Sequence, residues 1–174
     1  MLIALVTLML VKTLEFAGGR NVTLYGNTTL GYYYLNAHIG VPPQKKALIV
    51  DTGSHATIFG CEECVNCGKH LHNAYEHSKS ATFEYILPQR EYFNWTCNEH
   101  FIASNRCTFT QSYSESSSYS GYYAMDTFVF ENEARNVTRS NLRHIFGCAT
   151  SETNLFYTQE VGGIIGFGVT EINS

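Results

Sequence analysis

The sequence predicts a mostly β protein organised as one domain. Tyrosine, phenylalanine and glycine are abundant, with twelve, eleven and fourteen copies among 174 residues, and this composition favours strands and turns over helices. No segment shows a sustained helical period, and neither an internal repeat nor a linker divides the chain. The length is sufficient for a single domain with a proper hydrophobic core.

The charge pattern excludes two broad classes of protein. Charged residues make up 15% of the chain, the net charge is −4, and the few lysines and arginines are scattered. A nucleic-acid-binding domain would carry a basic patch or run, so no nucleic-acid partner is expected. The many aromatic residues argue against a disordered chain.

The amino terminus predicts a signal peptide over residues 1–19, followed by a lobe over 20–174. Met1–Val11 is almost entirely apolar, and it is shorter than the about 20 residues that a spanning helix needs. Small residues follow at 17–19, as at a cleavage site. No positive charge precedes the apolar run, and Glu15 lies close to the cleavage point. A first β-strand or a truncated start is therefore the alternative.

Two further features predict a protein of the secretory pathway. Six cysteines, an even number, are consistent with an oxidising compartment. Four tripeptides have the Asn-X-Ser/Thr form of a glycosylation acceptor, at Asn21, Asn27, Asn94 and Asn136. Whether a membrane anchor belongs to the protein stays open.

The first predicted strands lead to an aspartate. Tyr32–Ile39 combines aromatic and β-branched residues with partial alternation, which is typical of a strand. Glycine and paired prolines in Gly40–Gln44 predict a turn. Ala47–Val50 is an apolar run of buried-strand length, and it is followed directly by Asp51.

A second pair of strands is predicted further along the chain. Cys107–Tyr113 and Gly121–Phe130 have strand-like composition on either side of the serine-rich segment Ser114–Ser120, which predicts a hairpin with a serine-rich tip. A last apolar run covers Gly163–Gly168.

The segment Asp51-Thr52-Gly53-Ser54 is suited to hold a carboxylate rigidly. Burial raises the pKa of an aspartate unless donors stabilise the ionised form. The Gly53 amide can approach the carboxylate closely because no Cβ intervenes. The Ser54 hydroxyl can donate to the outer oxygen, and the Thr52 hydroxyl can lock the loop. The simpler alternative is that Asp51 only caps a turn after a strand.

Several motifs occur in an order that resembles the pepsin-like aspartic proteases, in their nepenthesin- and plasmepsin V-like branch. The motifs are the tyrosine-rich strand and turn Tyr34–Gln44, the signature Asp51–Ser54, the cysteine-rich Cys61–His70, the strand Phe109–Tyr113 and the apolar Val161–Gly168. The resemblance implies an amino-terminal lobe built as a six-stranded-type β-barrel or sandwich with a flap hairpin and a disulfide-rich insertion. It also implies that Val161–Gly168 threads behind the catalytic loop.

The same resemblance implies an aspartic endopeptidase that acts on a peptide or protein and needs no cofactor or metal. Asp51 would be the first member of a catalytic pair, supported by Thr52, Gly53 and Ser54, and Tyr113 would be the flap tyrosine over the substrate. Simple strand packing is the alternative role for Tyr113. His55 could tune the pH dependence of the site, but a solvent-facing or loop-packing role is favoured.

The cysteines and nearby histidines have two interpretations. Cys61, Cys64, Cys67, His70 and His72 could supply the four ligands of a tetrahedral zinc site, whereas an oxidising compartment favours disulfides. Six cysteines allow fifteen pairings, so spacing alone does not choose among them. The resemblance implies three disulfides, Cys61–Cys148, Cys64–Cys67 and Cys97–Cys107.

The sequence also departs from the family pattern. Ser114–Ser117 replaces the usual Gly-Asp-Gly-Ser after the flap tyrosine, and serine tolerates positive φ poorly, so we expect a different geometry at the hairpin tip. Ile58 stands where an aromatic Trp is common. Only one Asp-Thr/Ser-Gly signature is present, since Asp126 lacks the following glycine.

A single signature leaves three hypotheses for the protein. The favoured one is that a carboxy-terminal lobe, absent from this sequence, supplies the second aspartate. The second is a homodimeric single-lobe protease, and the third is an inactive homologue that binds peptides. Substrate specificity does not follow from the sequence, because both lobes build the pockets.

Overall fold

The strands of the computed structural model confirm the mostly β prediction. The structure describes residues 13–16, 20–27, 29, 31–88, 90–92, 97, 102–131 and 142–168. Eleven strands are assigned there: β1 (Thr13–Phe16), β2 (Arg20–Asn27), β3 (Tyr32–Ile39), β4 (Gln44–Asp51), β5 (Thr57–Gly60), β6 (Glu84–Tyr85), β7 (Ile102–Ala103), β8 (Arg106–Ser112), β9 (Ser118–Phe130), β10 (Leu142–Glu152) and β11 (Gly163–Gly166). Helix α1 (Leu155–Thr158) and the 3-10 helix His77–Lys79 are short.

Six of these strands close into a barrel, as the resemblance implied. Around the ring β3 pairs with β4, β4 with β11, β11 with β5, β5 with β10, β10 with β9, and β9 returns to β3. The β4–β11 and β5–β10 pairs are parallel, and the other four are antiparallel. Closure of the ring leaves these six strands without a free edge. The remaining strands extend the sheet on either side: β1 and β2 lie beyond β3, while β8 and β7 lie beyond β9.

The barrel interior is filled by aromatic and aliphatic side chains. Leu35, Ala37 and Ile39 alternate along β3 and are fully buried, which is the period-two pattern of a strand with one face in the core. Phe59 lies at the centre of the core, where its ring stacks on Phe146 with centroids 4.6 Å apart. Burial of such rings supplies most of the stabilisation of a core of this type.

Two predicted strand boundaries need correction. β4 begins at Gln44, the last residue of the predicted turn and three residues before Ala47, and the other correction lies in the flap hairpin. β9 begins at Ser118, so Ser118–Ser120 belong to a strand and not to the serine-rich tip. Their backbones pair with β8, with Ser112 opposite Ser118 and Thr110 opposite Ser120. Serine has a modest preference for turns, and this cross-strand pairing overrides it. The tip itself is confined to Tyr113–Ser117.

Asp126 is buried in the barrel as a structural carboxylate. It is 0% exposed, and its oxygens accept hydrogen bonds from the Tyr75 hydroxyl at 2.5 Å, the Ser80 hydroxyl at 2.7 Å and the Thr82 hydroxyl at 2.5 Å. The Thr127 amide donates to it at 2.6 Å. A buried carboxylate needs such donors to offset the loss of hydration. Asp126 therefore ties residues 75–82 to β9.

Glu131 joins the end of β9 to strands β2, β3 and β4. Its carboxylate accepts hydrogen bonds from the Tyr25 hydroxyl and the Asn36 amide, both at 3.0 Å. His38 Nε2 and Lys45 Nζ each lie 2.9 Å from Oε1. Burial raises the pKa of Glu131, but these four partners stabilise the ionised form more strongly and lower the pKa to about 2.

Replacing Glu131 with glutamine is expected to flatten the acid dependence of stability. A carboxyl whose pKa is lowered on folding stabilises the protein fully above its unfolded pKa of about 4.3, and this contribution is lost as the pH falls towards about 2. The contribution of Glu131 should be about 2 to 3 kcal/mol. Urea unfolding followed at a series of pH values would measure it. The exposed Glu91→Gln is the control, and a Glu131→Gln protein with the same acid dependence as the unsubstituted protein would contradict the prediction.

Some sequence predictions fall outside the described residues. Residues 1–12 and 17–19 of the predicted signal peptide are among them, as are the acceptors Asn94 and Asn136. Thr13–Phe16 pairs with β2. Asn21 is an exposed residue of β2, and Asn27 ends the same strand. Among the described residues no helix is long and apolar enough to span a membrane.

Candidate active site

Asp51 is the last residue of β4, where the strand leaves the barrel. The preceding Ala47 and Leu48 are buried, while Asp51 is partly exposed. The chain turns immediately after it, and the Gly53 amide donates a hydrogen bond of 2.8 Å to Asp51 Oδ1. A hydrogen bond to a carboxylate favours its ionised form. The fold thus places the Asp51 carboxylate at the mouth of the barrel, on a short, fixed loop.

The segment 163–168 threads behind this loop, as the resemblance implied. β11 lies between β4 and β5, with Gly166 opposite Asp51. Beyond the strand, the Phe167 amide donates to the Asp51 carbonyl at 2.6 Å, and the Gly168 amide donates to the Ser54 carbonyl at 2.7 Å. The loop that carries Asp51 is therefore fixed by backbone hydrogen bonds at both of its ends.

Glycine is required where the two segments cross. A Cβ at Gly166 would lie 2.5 Å from the Ser54 carbonyl oxygen, and a Cβ at Gly168 would lie 2.8 Å from the same atom. Both contacts are to backbone, which cannot move aside as a flexible side chain can. The glycine that follows Ile164 and Ile165 is thus required because two segments of the backbone approach each other closely there.

The two hydroxyls of the loop are not arranged as expected. Thr52 is exposed, and the Ser54 hydroxyl is buried without a hydrogen-bond partner among the described residues. The expected donation from Ser54 to Asp51 is therefore absent, because the Ser54 side chain is buried on the side of the flap tyrosine. Within the described part of the chain the Gly53 amide is the donor to the Asp51 carboxylate.

Tyr113 lies beside the same loop. Burial raises the pKa of its hydroxyl, the nearby Ser54 hydroxyl lowers it, and the charge of Asp51 raises it. The Tyr113 and Ser54 hydroxyls are close enough to interact, yet among the described residues neither has a partner with good hydrogen-bond geometry. The ring packs edge-on against Phe156, with centroids 4.9 Å apart. The structure thus brings the flap tyrosine and the aspartate loop together.

The tip of the flap hairpin is attached to residues 153–155. Asn154 Nδ2 donates to the Ser116 carbonyl at 2.6 Å, the Leu155 amide donates to the Ser117 hydroxyl at 3.1 Å, and Thr153 binds the backbone of Ser118. Ser116 adopts a φ of +68°. A serine at such a φ carries a strain of about 1 to 2 kcal/mol, which these contacts offset. The different tip geometry expected from the loss of the glycines stays a prediction.

A cavity of about 450 Å³ adjoins the aspartate loop. The loop forms one wall, and side chains of β8, β9 and β10 form the others; the lining residues are Gly53–Thr57, Gln111, Tyr123, Ile145 and Phe146. His55 is exposed, and its ring lies against Gly168, where an added Cβ would be 3.0 Å from Nε2. This agrees with a loop-packing role for His55. The cavity has the size of a site for one or two side chains of a peptide.

The six cysteines form three disulfides, Cys61–Cys148, Cys64–Cys67 and Cys97–Cys107. These are the pairs that the resemblance implied. Because every cysteine is disulfide-bonded, none supplies a thiolate to a zinc ion in this structure. Cys61–Cys148 joins the residue after β5 to the neighbouring strand β10, and Cys64–Cys67 closes a small loop of the insertion.

His70 fastens the cysteine-rich insertion to β10. Its Nε2 lies 2.8 Å from Glu152 Oε2, and its Nδ1 lies 3.0 Å from the Gln159 carbonyl, which can only accept a hydrogen bond. Nδ1 therefore carries a proton, and Nε2 donates to Glu152 when the imidazole is protonated. Burial lowers the pKa of His70, but the hydrogen bond and charge of Glu152 raise it overall. Sequence reasoning missed this pair, because its members lie 82 residues apart.

Asp126 and Ile58, two further positions considered in the sequence, both lie in the interior of the fold. Asp51 and Asp126 are the two aspartates of the sequence, and Asp126 is committed to its four donors in the barrel interior. It is therefore not placed to share a proton with Asp51. Ile58, which occupies the position of the common Trp, is fully buried in a cluster with Phe109, Tyr119 and Phe156.

Comparisons with known proteins agree with this geometry. A family model described as "Xylanase inhibitor N-terminal" matches residues 33–173. Aspartic protease 5 of Toxoplasma gondii is 38% identical over 157 residues, which is 82% of this chain and 16% of that protein. Plasmepsin V of Plasmodium falciparum is 32% identical over 86% of the chain and 25% of its own length. Aspartic proteinase nepenthesin-2 of Nepenthes gracilis is 31% identical over 89% of this chain and 33% of its own length.

The chain thus spans between about a sixth and a third of the length of these relatives. The match nevertheless covers the aspartate loop, the insertion, the flap hairpin and the threaded segment, which all lie within residues 33–173.

Proposed function

Because this chain belongs to the pepsin-like aspartic proteases, in their nepenthesin- and plasmepsin V-like branch, we propose that it forms the amino-terminal lobe of an aspartic endopeptidase. Asp51 is the catalytic aspartate of this lobe, and a carboxy-terminal lobe supplies the second. The observation that carries the proposal is the position of Asp51: it lies at the barrel mouth, accepts the Gly53 amide at 2.8 Å and has Tyr113 beside it.

The proposed reaction is hydrolysis of a peptide bond by an activated water molecule. Two carboxylates that share one proton hold the water between them; the ionised one accepts its proton, and the protonated one polarises the scissile carbonyl. The hydrogen bond from the Gly53 amide holds the Asp51 carboxylate in position. Tyr113 covers the bound peptide and excludes bulk water, which strengthens the electrostatic interactions in the site.

The substrate is a peptide or protein in extended conformation. The cavity of about 450 Å³ beside the aspartate loop offers room for side chains on one side of the scissile bond. Three disulfides support an oxidising compartment. Together with the acceptor tripeptides Asn21, Asn27, Asn94 and Asn136, they favour a glycosylated protein of the secretory pathway, consistent with the signal peptide proposed for residues 1–19.

Inhibition by a transition-state mimic tests the proposed class of enzyme. The full-length protein should cleave a mixed peptide library at acidic pH, and a statine-containing peptide should suppress this cleavage at concentrations at least about a hundredfold below those of the substrates. Statine places a hydroxyl where the tetrahedral intermediate would be, so both aspartates bind it. Cleavage that resists statine and stops with a metal chelator or a serine-directed reagent would contradict an aspartic mechanism.

A second function is favoured by one comparison. The family model that matches this chain is described as a xylanase inhibitor, so the fold is associated with a binding function as well as with proteolysis. An inactive homologue would grip a peptide or protein beneath Tyr113 without cleaving it. The complete reading frame distinguishes the two functions, because an endopeptidase with two lobes needs a second Asp-Thr/Ser-Gly.

A homodimer of single lobes is the remaining alternative, since two copies of Asp51 could then form the pair. Light scattering on the active full-length protein separates this case from a two-lobed monomer.

A further inference from the structure

A second cavity of about 400 Å³ lies between β4, β5 and the cysteine-rich insertion. Its walls include Lys46, Phe59, Gly60, Cys67, His72 and Gly162. It shares no lining residue with the cavity beside Asp51, and the proposed proteolysis does not use it. The volume is that of a site for a small molecule.

Lys46 is a buried cation in the wall of this cavity. The residue is 6% exposed, and its Nζ donates to the Asn73 carbonyl. An ammonium group has three donors, and among the described residues no carboxylate forms an ion pair with this one. Burial lowers the pKa of Lys46 to about 8, against an opposing effect of Glu76. Lys46 is therefore largely protonated at neutral pH, in a place where a buried charge ordinarily has a counter-ion.

His72 adds a second unsatisfied polar atom to the same wall. Its Nε2 is buried and has no hydrogen-bond partner among the described residues. Burial lowers the pKa of His72, and the positive charges of Lys45 and Lys46 lower it further. Lys46 and His72 also line an adjoining cavity of about 330 Å³. A neutral His72 with its proton on Nε2 would present a donor to the space that Lys46 faces.

The carboxylates near this cluster are already engaged. Glu131 binds Lys45 and His38, and Glu76 forms an ion pair with Lys79. Lys69, on the rim of the cavity, is exposed and has no ion pair in the described part of the chain. Glu152, beside the cavity, is bound to His70. The cavity therefore has two cations, Lys46 and Lys69, that form no ion pair with a carboxylate of the described residues, and such cations attract an anion.

We propose that this cavity binds a small oxyanion, held by Lys46 Nζ and His72 Nε2. Phosphate and carboxylate groups share the required chemistry, since each offers several acceptor oxygens to the two donors that line this cavity. Ala47 and Phe59 also line the cavity, so part of its wall is apolar. The site is distinct from the peptide-cleaving site and would bind a ligand whether or not the protein is an active protease.

Thermal unfolding of the full-length protein at neutral pH provides the test. Inorganic phosphate and acetate, each up to about 10 mM with chloride keeping the ionic strength constant, are the two probes. A saturable rise in Tm with phosphate alone assigns a phosphate site, and a rise with acetate assigns a carboxylate site. Equilibrium dialysis with labelled probe should give one bound anion per chain. Equal Tm values in phosphate, acetate and chloride, with no retention in dialysis, would overturn the proposal.

Substitutions of Lys46 and His72 test whether the anion binds in this cavity. Lys46→Met keeps the length and burial of the side chain, and it should weaken binding of the stabilising anion at least about tenfold while removing the rise in Tm. His72→Leu should weaken binding to a smaller degree. Arg90→Gln is the matched control, because Arg90 is an exposed cation paired with Glu84 away from this cavity. Unchanged binding in both Lys46→Met and His72→Leu would refute the assignment, and dialysis of the unsubstituted protein decides the case if a variant fails to fold.

Discussion

Replacement of Asp51 with asparagine is expected to abolish peptide cleavage by the full-length protein and to leave its fold unchanged. Asparagine keeps an Oδ1 that can accept the Gly53 amide, which donates at 2.8 Å in this structure. Its amide group, however, neither accepts a proton from water nor shares one with a second aspartate. General acid–base catalysis typically contributes a factor of about 100 to 10,000, so kcat should fall at least about a hundredfold.

The measurement needs a stability readout beside the activity assay. Urea unfolding of Asp51→Asn should match that of the unsubstituted protein, because the loop keeps its backbone hydrogen bonds to Phe167 and Gly168. Glu115→Gln, which removes an exposed carboxylate at the flap tip, serves as the control and should cleave peptides normally. An Asp51→Asn protein that retains more than about a tenth of the activity would refute the assigned role of Asp51.

Removal of the Cys61–Cys148 disulfide is expected to give the largest loss of stability. The bridge joins residues that are 87 positions apart, and in the chain-entropy treatment a cross-link over a loop of this length stabilises the fold by about 4 to 5 kcal/mol. Both cysteines are fully buried, so alanine at both positions avoids unsatisfied hydroxyls. The double variant should therefore lose about 4 to 5 kcal/mol, which is between about a third and nearly all of the about 5 to 15 kcal/mol that is typical of a domain.

The short disulfide offers a matched comparison. Cys64 and Cys67 are three positions apart, and the same treatment gives about 2 kcal/mol for their removal. Chemical unfolding of the two double alanine variants would give both values. A larger loss for the Cys64–Cys67 pair than for the Cys61–Cys148 pair would contradict the loop-length argument. Mass spectrometry of unreduced digests would confirm the pairing in each protein.

Elements with strong local signals could be predicted from the sequence. Strand β3 begins and ends at the predicted residues Tyr32 and Ile39, since aromatic and β-branched residues alternate there and a glycine-proline turn follows. The threaded segment was also predictable, because Gly166 and Gly168 are required by close backbone contacts that leave a fixed pattern in the sequence. The position of Asp51 at the end of a strand was predictable because an apolar run precedes it, whereas its catalytic role stays a prediction.

Features that depend on distant partners could not be predicted. The side chains that bind the Glu131 carboxylate all lie at least 86 positions earlier in the chain, and the nearest of them in sequence is Lys45. The residues adjacent to Glu131 therefore give no sign that its carboxylate is buried and bound. The burial of Lys46 was equally hidden, since a lysine in Gln44–Asp51 is ordinarily expected on the exposed face of a strand. Helix α1 is a single turn, too short to give a helical period. Each of these features results from tertiary packing.

The threading of residues 163–168 behind the aspartate loop also determines when the site can form. The Phe167 amide that fixes the Asp51 carbonyl is 116 residues downstream of it, so this hydrogen bond cannot exist until most of the lobe has been synthesised. Contacts of such large sequence separation form slowly and late. A ribosome-bound chain that ends before Phe167 would therefore carry Asp51 on an unfixed loop, and this loop would not be assembled until the last strand of the barrel is inserted.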